Sequence, residues 1–77
     1  MAEYVWREDH GTHELFRVEP MKVTGTKMVA RVWQSAINSR WYEHTVVDEL
    51  SKVHDTLQAA KDAVMAEIIQ EELDYGG

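Results

Sequence analysis

The sequence predicts an α+β fold: an antiparallel β-meander of three to four strands, followed by one long C-terminal α-helix packed on one sheet face. Three observations predict it. Residues 3–46 are rich in aromatic and β-branched side chains that alternate between two faces, the period of a strand. Short turn-forming runs interrupt them: Asp9-His10-Gly11-Thr12, Thr24-Gly25-Thr26 and Ile37-Asn38-Ser39. From Val46 onward the apolar residues Val46, Leu50, Val53, Leu57, Ala60, Val64 and Ile68 recur at steps of three and four. At about 100° per residue they fall within an arc of roughly 80°, the stripe of an amphipathic helix.

The elements follow in order. Tyr4 to Glu8 reads as a strand, and Gly11 supplies positive φ to the turn after it. His13 to Glu19 alternates, with Phe16 and Val18 on one side and Leu15 and Arg17 on the other. Pro20 ends that strand or marks an edge, and Met21-Lys22-Val23 is a short continuation. Lys27 to Gln34 is the clearest strand, with Met28, Ala30 and Val32 opposite Val29, Arg31 and Trp33. Arg40 to Thr45 is the last, with Trp41, Glu43 and Thr45 opposite Tyr42 and His44. Short turns between consecutive strands favour antiparallel neighbours, and only the helix is available to cover one face.

Two starts compete for the helix. Asp48 caps a long one, and Asp55 with Gln58 forms a capping box for a shorter one. No Gly or Pro interrupts residues 48–75, which favours the long form. The single domain of residues 1–77 then divides into a sheet over about 3–46, a helix over about 48–74 and a frayed tail at 75–77. Such a helix spans roughly 39 Å. A four-stranded sheet is about 15–20 Å across. The overhang carries Met65, Ile68, Ile69 and Leu73, apolar groups that water covers poorly.

Charge is segregated. Residues 1–44 carry equal numbers of acids and bases, so the whole net charge of −6 lies in residues 45–77. Such a surface repels nucleic acid phosphates and attracts basic proteins. The chain has no cysteine, which excludes disulfides and thiolate metal sites. Its first residues lack the basic and apolar runs of a signal peptide, and no stretch reaches about 18 apolar residues. A cytoplasmic protein with no membrane association is expected.

Little in the sequence points to catalysis. Ser35, Ser39 and Ser51 have no nucleophile context, and Gly11 and Gly25 are single turn glycines rather than a phosphate loop. His10 and His13 supply two metal ligands where zinc takes three or four. No enzyme activity, metal or cofactor is expected. The features left are an acidic helix and aromatic strands. Trp33 beside Arg31 has the composition of a protein-contact hot spot. The same pair on a sheet can stack nucleic acid bases. The candidate protein-binding residues are therefore Trp33, Glu67, Ile68, Glu71 and Glu72. The expected partner is a larger protein with a basic surface. A homodimer through the C-terminal helix is the simplest way to cover the overhang.

Two resemblances bear on this reading. By size, acidity and element order over the whole chain, the sequence resembles the small acidic inhibitors that bacteriophages encode, anti-CRISPR proteins among them. That resemblance implies a non-catalytic inhibitor of a nucleic-acid-handling enzyme, acting in the host cytoplasm. The second rests on Arg40-Trp41-Tyr42-Glu43 and on Thr56 to Val64 (TLQAAKDAV). These are similar to the amino-terminal arm domain of tyrosine recombinases and imply a DNA-reading sheet supported by a helix. Where that family carries bases between strand and helix, this chain has Val46, Val47, Asp48 and Glu49. A structural or assembly protein of a mobile element is a third reading, resting on the same apolar stripe.

Overall fold

In a computed structural model the chain is described over residues 3–18 and 26–76. Five strands and one helix follow in order: β1 (Glu3–Asp9), β2 (Thr12–Val18), β3 (Thr26–Gln34), β4 (Trp41–Thr45), β5 (Asp48–His54) and α1 (Leu57–Gly76). The strands form one antiparallel sheet in sequence order, β1-β2-β3-β4-β5. The expected α+β meander is present with a fifth strand. Pro20, the 21–23 continuation and the Thr24-Gly25 part of a turn lie outside the described residues.

The β1–β2 hairpin turns on His10 and Gly11, with φ of 51° and 83°. Two positive-φ residues between the paired Asp9 and Thr12 make the mirror-image turn whose twist matches antiparallel strands. The β3–β4 loop is fastened by its own polar side chains. Ser35 Oγ accepts from the Ile37 amide, Asn38 Oδ1 accepts from the Arg40 amide, and Gln34 Nε2 donates to the Ser39 carbonyl.

The helix is shorter than the sequence predicts, and its first third is strand. Residues 48–54 form β5, joined to β4 by a two-residue turn at Val46-Val47. The 3–4 spacing of Val46, Leu50 and Val53 is a coincidence of composition: Val46 and Val53 are exposed. The helix starts at Leu57 behind Thr56, whose Oγ1 accepts from the Ala59 amide at 3.1 Å. Thr56 is thus the N-cap, and Asp55 is not. Gln58, the other half of the expected capping box, instead donates to Asp62 one turn on.

The remaining stripe does what its spacing predicts. Ala60, Val64 and Ile68 are buried against Leu15, Val29, Ala30 and Val32, with Leu57 and Met65 flanking them. The helix lies over β3, β4 and β5. Tyr4 and Trp6 pack against the core from the β1 side, and Lys61 Nζ sits 4.9 Å over the Trp6 ring. One strand departs from simple alternation. The β2–β3 register shifts between Leu15 and Phe16, so β3 carries one extra residue at Val29. Val29 and Ala30 are therefore both buried, and Met28 lies on the exposed face rather than with Ala30 and Val32.

Candidate functional site

Cross-strand register sorts the side chains into two faces. The face under the helix carries Trp6, His13, Leu15, Ala30, Val32, Trp41, Glu43 and Thr45. The other face is covered by none of the described residues. On it, register builds three rows across the strands. Val5, Phe16 and Met28 form an apolar row. Arg7, Glu14, Arg31 and His44 form a polar row. Trp33, Tyr42 and Val53 form an aromatic row.

An antiparallel sheet with one solvated face ordinarily presents polar residues there. This one presents Val5, Met28 and Val53 well exposed, with Phe16, Trp33 and Tyr42 half-buried among them. Trp33 and Tyr42 stack at 6.0 Å between ring centroids and 18° between planes. Asn38 Nδ2 donates to the Tyr42 hydroxyl and ties the stack to the β3–β4 loop. At the tip of that loop Ile37 is 96 % exposed.

Two guanidinium groups lie over rings on this face: Arg31 at 6.0 Å from Trp33 and Arg7 at 5.4 Å from Phe16. Neither has an ion-pair partner among the described residues. Glu14 sits between them in register and pairs with neither. Beside the bulge a shallow depression is lined by Met28, Val29, Ala30, Arg31, His44 and Val46. Aromatic rings, methionine and arginine in one patch form the composition that protein interfaces favour.

A second polar group lies on the opposite face, under the helix. Glu43 is 1 % exposed, and its Oε1 lies 3.2 Å from His54 Nε2. Glu67 reaches in from the helix and is paired with Lys52 of β5. Burial lifts the Glu43 carboxyl above its ordinary range; Glu67 pushes the same way and His54 opposes. Glu43 Oε2 and Glu67 Oε2 are buried with no donor among the described residues. A proton on Glu43 gives it a hydroxyl to donate toward Glu67. The cluster ties β4, β5 and the helix together.

The residues singled out in the sequence separate. Trp33 stands on the open face. Glu67 is half-buried and paired with Lys52, and Ile68 is a core residue at 3 % exposure. Helical phase is the reason: both lie on the side of the helix that meets the sheet. Glu71 is half-buried, and the Glu72 and Leu73 side chains lie outside the described ones. Met65 packs on the core, which leaves Ile69, 47 % exposed, as the described part of the expected overhang. His10 is exposed at a turn, whereas His13 meets Trp41 edge-on at 5.9 Å on the helix side. The described residues contain no group of three metal-ligating side chains. No described helix is long and apolar enough to cross a membrane.

Sequence reasoning missed Arg7, Phe16, Tyr42 and His44 as neighbours of Trp33. Cross-strand register brings them to one face: Tyr42 pairs with Trp33 and His44 with Arg31, while Arg7 and Phe16 reach that face through the β1–β2 and β2–β3 pairings. The chain matches no family model, and comparison with curated proteins and with solved structures finds no similar one.

Proposed function

We propose that the protein is a non-catalytic protein-binding module whose contact surface is the open sheet face centred on Trp33 and Tyr42. One observation carries the reading: the sheet face opposite the helix carries an apolar and an aromatic row beside its polar one, with Arg7 and Arg31 held over rings and bound to no carboxylate among the described residues. Buried in an interface, such rings and guanidinium groups contribute most of the binding energy. The net charge of −6 concentrated in residues 45–77 adds long-range attraction toward basic proteins. An inhibitor of a larger nucleic-acid-handling protein, as the likeness to small acidic phage inhibitors implies, is a role of this kind.

Direct DNA binding is the weaker alternative. Glu14 lies between the two arginines of the open face, and the chain as a whole repels phosphate. A photo-crosslinking residue placed at position 33, against one at the exposed helix position Ala66, tests the proposal in the protein's native cells. Protein adducts from position 33 support it. Adducts from position 66 alone would move the contact surface to the helix.

A further inference from the structure

We infer that the occupant of the open sheet face is a second copy of this chain, packed face to face about a twofold axis running along the strands between β2 and β3. The inference rests on the open face being a protein contact surface, and it puts a second copy of the chain on that face in place of a larger basic protein. Its support is the register of the rows. A twofold axis in that place lays β2 of one protomer over β3 of the other while keeping each row on itself. Residues that are cross-strand neighbours within the chain then meet again between chains. Glu14 meets Arg31 of the second copy, and Arg31 meets its Glu14, so a charge set that forms no ion pair among the described residues of one chain pairs twice in the dimer. Phe16 meets Met28 in the same way. Asp9 of β1 falls opposite the Tyr42 hydroxyl of β4.

The alternatives fit less well. A twofold axis along the rows would set Arg31 against Arg31. An axis on β3 itself would leave Glu14 facing His44 and give Arg31 no acid.

The interface is small. The four strands that overlap, β1 to β4, about 4.8 Å apart and about five residues deep, give a face of roughly 19 by 17 Å. That footprint lies below the roughly 800 Å² per partner of a standard interface, in the range of weak, concentration-dependent pairs. Aligned packing of two twisted sheets over about 10 Å is the ordinary geometry of a β-sandwich. The product is a four-layer particle, helix-sheet-sheet-helix, with both acidic helices facing outward.

Charge reversal tests it without relying on a single variant. Glu14→Arg and Arg31→Glu each place like charges across the twofold axis. Each variant alone should dimerise at least about tenfold more weakly than the wild type. An equimolar mixture of the two should recover the dimer, because in the mixed pair every Glu again meets an Arg. A purely intrachain effect of either substitution cannot be rescued by mixing. Sedimentation at about 100 μM reads all four samples, with circular dichroism checking the fold. A wild-type monomer, single variants that still dimerise, or a mixture that stays monomeric would each overturn the second copy.

Should either variant fail to fold, thiol cross-linking replaces it, since the chain has no cysteine of its own. Phe16→Cys mixed with Met28→Cys should be joined by a short bis-maleimide. Asp62→Cys mixed with Met28→Cys should not, and the reverse pattern would overturn the dimer. A monomer that still forms position-33 adducts with another protein would refute the second copy and leave the contact face standing. No self-association and no adduct would refute both.

Discussion

Glu43 and His54 meet beneath the helix, with Glu43 Oε1 3.2 Å from His54 Nε2, in a core whose other fully buried large side chains, among the described residues, are apolar. Partners come from each element around it: His54 and Lys52 from β5, Glu67 from the helix. This cluster joins β4, β5 and the helix on the covered face, beside the apolar stripe of Ala60, Val64 and Ile68.

The raised Glu43 carboxyl makes stability depend on pH. Burial is the larger cause and Glu67 adds to it. The folded protein therefore holds the Glu43 proton more tightly than the unfolded chain does. Its contribution is full below the ordinary carboxylate value of 4.5 and is lost as pH rises through the higher folded value. Glu43→Gln keeps the shape and removes the ionisation. The variant should gain on the wild type at neutral pH, and the gain should shrink as the medium is acidified. Urea midpoints between about pH 4 and pH 8 read this, and a difference independent of pH contradicts it.

The helix cap separates two neighbouring residues. Thr56→Ala removes the acceptor for the Ala59 amide and should cost about 1 kcal/mol. Asp55 is exposed and, among the described residues, pairs with Arg40 at 3.9 Å, so Asp55→Ala should cost less than about 0.5 kcal/mol. Equal costs in chemical denaturation would return the cap to Asp55.

Core and surface apolar groups should respond differently. Ile68→Ala and Leu15→Ala truncate buried side chains and should each destabilise by about 2–5 kcal/mol. Ile37→Ser at the loop tip should change stability by no more than about 0.5 kcal/mol. An unchanged denaturation midpoint for Ile68→Ala would place that residue in water.

The first hairpin is under mild backbone strain at a known place. His10 holds φ of 51°, a conformation that asparagine tolerates better. His10→Asn should stabilise by a few tenths to about 1 kcal/mol. Gly11→Ala should destabilise by about 1 kcal/mol although no atom lies within 4 Å of the new Cβ, because its φ is 83°. Thermal melts decide both.

Four of the five strands were legible from alternation, and the His10-Gly11 turn from its residue types. The helix was legible only from Leu57 on. Val46 and Val47 form a tight turn without Gly, Pro, Asn or Asp, so nothing in the residue types marks a break there. The next apolar residues happen to continue the helical spacing. Met28 was misplaced because a bulge at Val29 changes phase without any sequence signal. The site was half legible. Trp33 with Arg31 stood out by composition. Glu67 and Ile68 carried the right chemistry on the wrong side of the helix, since the side that meets a sheet is set by packing rather than by charge.

Residue-by-residue oxidative footprinting tests most directly whether the open sheet face is the contact surface. It compares the dilute protein with the protein engaged to a partner, a second copy included. Trp33 and Met28 should become protected on engagement. Trp6 and Trp41, which pack on the helix side, should oxidise equally in both states. Protection confined to Ile69 and its helical neighbours, with Trp33 unchanged, would contradict the account.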